Sequence, residues 1–143
     1  MVENVPPAQA WEALRTNPNA QLVDVRTDAE WTFVGVPDLS SLGKRLALIA
    51  WQVYPSMQQN TAFVAQLGKA ELTPDHHIYF ICRSGVRSLH AALAAREAGF
   101  PHVYNVADGF EGQLDAEGHR GISNSIREVE TNAAKMLIDP SRA

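Results

Sequence analysis

The chain has 143 residues, 45% of them apolar and 20% charged, which fits one domain around one sizeable core and excludes a disordered polymer. A net charge of −4 argues against nucleic acid as a partner, and no apolar run approaches the length of a membrane span. The N-terminus lacks the charged-then-apolar pattern of a secretion signal, and a single cysteine permits no internal disulfide, so the cytoplasm is the expected compartment. In chain order, PPAQAWEALRTNP predicts a short helix. Pro6 or Pro7 sits in its first turn, Trp11 and Leu14 share a face, and Asn17 with Pro18 ends it. AQLVDV, Ala20 to Val25, reads as a buried strand, and TDAEWTF as a helical turn capped by Thr27 or Asp28.

GVPDLSSLGK is a loop by its Gly, Pro and Ser content. LALIAWQV, Leu46 to Val53, reads as a strand, with a short helix as the alternative. SMQQNTAFVAQLGKA reads as a helix capped by Ser56 and closing near Gly68. HIYFI, His77 to Ile81, is a compact apolar strand. SLHAALAAREAGF is an Ala/Leu-rich helix closed by Gly99, and HVYNV is another short strand. ADGFEGQLDAEGHRG is a glycine-rich loop, and SNSIREVETNAAKMLI carries helical spacing through Ile126, Val129, Ala133 and Leu137. Strands alternating with helices predict an α/β fold with a mostly parallel central sheet covered on both faces. Ligands in such folds sit beyond the carboxyl ends of strands.

CRSGVRS, Cys82 to Ser88, occupies that position after the clearest strand and before the clearest helix. Gly85 permits a turn that other residues resist, and successive amides there can face inward as an anion-binding nest. The helix N-terminus adds unpaired N–H groups and a positive dipole end, and Arg83 and Arg87 add charge. A free thiol titrates near ~8.5, and such surroundings can bring it below about 7, to the nucleophilic thiolate. The contrary reading is a buried, inert structural thiol. Five histidines show no ligand spacing with Cys82, so no metal is expected. By residue type alone Asp24 and Arg26 read as a plain surface pair.

Three segments together resemble the rhodanese family of sulfurtransferases: LVDVRTDAEW (Leu22 to Trp31), CRSGVRS, and AGFPHVYNVADGFEG (Ala98 to Gly112). The resemblance spans about residues 6–115 of a single domain covering 1–143, with a divergent helical tail over about 122–143. It implies a three-layer rhodanese-like α/β fold. It also implies a mechanism in which Cys82 takes a sulfane sulfur from thiosulfate or a similar anion, carries it as a persulfide, and passes it to cyanide, a thiol or a protein acceptor. No separate cofactor is then needed. Arg83, Ser84, Gly85, Val86, Arg87 and Ser88 would form the substrate cradle, and Asp24 and Arg26 would support it. Two features depart from the family: FVGVPDLSSLG has no histidine, and the tail beyond Gly121 has no tryptophan. A non-catalytic interaction module of the same fold is therefore one alternative. The other is a cysteine-based phosphatase or arsenate reductase. Those enzymes place the arginine six positions after the cysteine, whereas Arg87 is five positions on, making a tighter ring suited to a single sulfur.

Overall fold

The computed structural model describes residues 2–34, 39, 42–82 and 85–107. Eleven elements follow one another among them: β1 (Glu3–Val5), α1 (Pro7–Thr16), β2 (Ala20–Asp24), α2 (Asp28–Val34), β3 (Ala47–Leu48), β4 (Gln52–Val53), β5 (Gln58–Gln59), α3 (Phe63–Lys69), β6 (His77–Ile81), α4 (Val86–Glu97) and β7 (Val103–Val106). The main sheet runs in the order β1-β7-β6-β2-β3, and every pair in it is parallel. Parallel neighbours need crossover connections, and the helices supply them on both faces.

Strand alternation divides the core in two. Ile78, Phe80 and Cys82 point to the face covered by α3 and α4, where they join Val23, Val25, Phe63, Leu67, Ala91, Ala92 and Ala95. Tyr79 and Ile81 point the other way, toward Ala10, Trp11 and Leu14 of α1. Three small alanines on α4 let that helix lie close to the sheet, which keeps its first turn beside the end of β6. Gly99, at φ 109°, closes α4, and the Phe100 amide returns to the Ala95 carbonyl at 3.1 Å.

The expected α/β architecture with a parallel central sheet is observed, and α1, β2, β6 and α4 lie where the pattern put them. Several local expectations are corrected. Leu46 to Val53 is not one strand: Ala47 and Leu48 pair with β2, and the chain then crosses the end of that strand. There the Ile49 and Trp51 amides donate to the Asp24 and Val25 carbonyls, at 3.1 and 3.0 Å. Gln52 and Val53 turn away to pair antiparallel with Gln58 and Gln59. Ser56 therefore lies in a hairpin turn and caps no helix. Its hydroxyl accepts from the Gln58 amide at 3.4 Å.

The helix begins seven residues later, at Phe63. Asn60 organises its start, its side-chain oxygen accepting from the Ala62 amide while its Nδ2 donates to the Ala50 carbonyl. The strand β1 is too short to announce itself by periodicity and exists because β7 offers it a parallel edge. The expected tail helix over about 122–143 and the ADGFEG loop beyond Ala107 lie outside the described residues. No helix among the described residues is long and apolar enough to cross a membrane.

Candidate active site

Three strands deliver side chains to one end of the sheet. The register places Asp24 of β2 beside Ile81 of β6, and Asn105 of β7 beside Phe80 of β6. Cys82 follows β6 directly, on the α4 face, with 1% of its surface exposed. Gly85 takes a left-handed conformation, φ 104°, as the residue that caps α4. That conformation suits glycine because it has no Cβ to clash. The Gly85 amide donates to Cys82 Sγ at 3.0 Å, and Ser88 Oγ lies 3.3 Å from the same sulfur. An N–H aimed at sulfur and the first turn of a helix are fixed dipoles placed where negative charge can be held.

Of the cradle residues read from the sequence, Gly85 and Ser88 are brought against the sulfur. Val86 is exposed at the start of α4, and Arg83 and Ser84 lie outside the described residues. Arg87 does not stand free: Nη1 and Nη2 donate to the two oxygens of Glu30, at 2.5 and 2.8 Å. The Glu30 hydrogen bonds, opposed by burial and aided by the Glu30 charge, hold the Arg87 guanidinium above its ordinary range.

Asp24 and Arg26 form a buried pair, at 0% and 1% exposure, so the surface alternative is excluded. Arg26 Nε donates to both carboxylate oxygens at 3.0 Å, Nη2 donates at 2.7 Å, and the Arg26 amide donates to Oδ1 at 3.0 Å. Directly below, the Val25 amide donates to the Ile81 carbonyl at 2.9 Å, tying this pair's strand to the residue before Cys82.

A family model described as the STR4 middle domain matches residues 3–127 of the chain. The chain belongs to that family of rhodanese-like domains. The rhodanese-like domain-containing protein 4 of Arabidopsis thaliana chloroplasts is 31% identical over 118 residues, 81% of this chain and 23% of that much longer protein. An RP600 homolog from Rickettsia rickettsii is 38% identical over 119 residues, covering 82% of this chain and 90% of the other. The crystal structure of Rv0390 from M. tuberculosis superposes with a TM-score of 0.78 at 50% identity, covering 90% of this chain and 93% of that one. A rhodanese-like family and fold are thereby shown.

Within this rhodanese-like domain two site residues escape sequence reasoning. Glu30 is the first. The motif Thr27-Asp28-Ala29-Glu30 is a capping box: the Thr27 amide donates to Glu30 Oε1 at 3.1 Å, and the Glu30 amide donates to Thr27 Oγ1 at 3.3 Å. That spacing is visible in the sequence, but the second role of the same carboxylate, clamping Arg87, is not. Asn105 is the second: a polar residue in an apolar strand, 4% exposed, and tied to both Gly85 and Ser88.

Burial alone would push the Glu30 carboxyl up, but hydrogen bonds from Arg87 and the Thr27 amide, with the Arg87 charge, bring it from 4.5 down to about 2. A carboxyl lower in the folded than in the unfolded chain stabilises fully above about pH 4.5 and progressively less as pH falls toward 2. The unfolding free energy of the wild type, read from urea titrations, should therefore drop between pH 5 and pH 2.5 by on the order of 2 kcal/mol more than that of Glu30→Gln. Parallel pH profiles for the two proteins would remove the clamp as a source of stability.

Proposed function

We propose that the protein is a sulfurtransferase that carries sulfane sulfur on Cys82. The observation that carries this reading is the Gly85 amide directed at Cys82 Sγ at the carboxyl end of β6, with the first turn of α4 immediately behind it. In the first half-reaction the Cys82 thiolate attacks the outer sulfur of thiosulfate. The sulfur–sulfur bond of the donor breaks, sulfite leaves with its electron pair, and Cys82 becomes a persulfide anion. In the second half-reaction cyanide or a thiolate attacks the terminal sulfur, and the Cys82 thiolate returns. Arg87 shares its guanidinium between Glu30 and the donor anion, with Arg83 and the loop amides completing the cradle. No cofactor beyond the persulfide enters the scheme.

The burial of Cys82 favours one competing reading, an interaction module of the same fold that transfers nothing. Mass spectrometry of the purified protein before and after thiosulfate separates the two. A gain of one sulfur on Cys82, released by cyanide as thiocyanate, is the expected result, and an unchanged mass at Cys82 would leave only the module.

A further inference from the structure

We infer that Asn105 is a positioning residue that accepts the Ser88 hydroxyl's hydrogen bond each time Cys82 takes on sulfur. This rests on the sulfur-transfer reading above. Asn105 sits at the hub of a buried network. The Gly85 carbonyl can only accept, so the Asn105 group 3.0 Å from it is Nδ2, which also donates to Asn4 Oδ1 at 2.9 Å. That fixes the other end of the amide. Oδ1 faces Ser88 and accepts from its hydroxyl at 2.5 Å.

Ser88 has one proton and two claimants, Asn105 Oδ1 and, at 3.3 Å, Cys82 Sγ. Transfer from thiosulfate moves the negative charge outward by one bond. Before it, Cys82 Sγ is the anion; after it, Sγ is the uncharged bridging atom and the terminal sulfur is the anion. An anionic sulfur is the stronger acceptor and draws the Ser88 hydroxyl toward itself. A bridging sulfur is a weak acceptor, and a fully buried hydroxyl left facing it alone would be unsatisfied. Asn105 Oδ1 provides the alternative acceptor within reach of a simple rotation about the Ser88 Cβ–Oγ bond. The amide thereby stabilises the sulfur-loaded state relative to the empty one, while its Nδ2 holds the Gly85 carbonyl and so the loop in place.

The readout is the equilibrium between loaded and empty Cys82 at a fixed thiosulfate to sulfite ratio, measured by intact-protein mass. Asn105→Leu, which lacks the acceptor, is expected to lower the loaded-to-empty ratio about fivefold, the weight of one buried hydroxyl's partner. Ser88→Ala removes the proton that needs rehousing and one donor to the thiolate, so it is expected to raise the ratio about fivefold. The double variant should match Ser88→Ala, because Asn105 acts through the hydroxyl. Asn4→Ala touches only the far side of the amide and should stay within about twofold of wild type.

Opposite shifts in the two single variants are a signature that general loosening of the site would not give. If Asn105→Leu does not fold, the direction of the Ser88→Ala shift still tests whether the hydroxyl favours the empty state. A fall or no change in Ser88→Ala, or an undiminished Asn105→Leu effect in its background, overturns the role of Asn105 while sulfur transfer stands. A wild type that never gains sulfur overturns both.

Discussion

Cys82→Ser is expected to reduce sulfur transfer from thiosulfate to cyanide to the uncatalysed background, a loss on the order of 10³-fold or more. A serine hydroxyl at this position has no general base among its described neighbours. The groups at hand are the Gly85 amide and the Ser88 hydroxyl, and neither removes a proton. The substitution is close to isosteric, and oxygen accepts from the Gly85 amide as sulfur does. The variant should therefore fold and unfold at a denaturant concentration near that of the wild type. Thiocyanate formation combined with a urea titration gives both answers from one preparation. Retained turnover in the serine variant would remove Cys82 from the chemistry, whatever the rest of the loop does.

Asp24→Asn is expected to be the most destabilising polar substitution in the described residues, at about 3–5 kcal/mol. The carboxylate balances a guanidinium that is itself 1% exposed, and it accepts four hydrogen bonds from the side chain and amide of Arg26. An amide keeps the shape but removes the charge and turns one acceptor into a donor facing another donor. That loss is a large fraction of the 5–15 kcal/mol by which domains are ordinarily stable. The exposed pair Arg45–Glu71, 84% and 82% open and 3.5 Å apart, is the internal contrast. Glu71→Gln should leave the urea midpoint unmoved, because water solvates both charges whether or not they meet. Equal midpoints for Asp24→Asn and Glu71→Gln would mean that the buried pair contributes no more than a surface one.

Much of the site was legible because it is local. Cys82, Gly85, Arg87 and Ser88 fall within seven consecutive residues, and a strand followed by a helix fixes the side of the turn on which each can stand. Alternation along β6 alone sends Ile78, Phe80 and Cys82 to one face. The hairpin at Gln52 to Gln59 was not legible, because two-residue strands bounded by a proline turn carry too few positions for any period to show. The helix α3 was misplaced at its start for the same reason. Ser56 and Asn60 both suit the turn before a helix, and only the pairing of Gln58 with Val53 removes the first from contention.

The amino-acid sequence by itself determined that this chain builds a parallel α/β domain with one thiol at the carboxyl end of an apolar strand, since those features depend on side-chain period and on neighbours a few residues apart. Only the tertiary structure decided what surrounds that thiol. Glu30 meets Arg87 across 57 residues, and Asn105 meets Ser88 across 17 and Asn4 across 101. These contacts follow from the sheet order β1-β7-β6-β2-β3, in which strands distant along the chain lie side by side. That order is set by how crossover helices pack on a twisted sheet, a property of the whole chain that no single segment encodes.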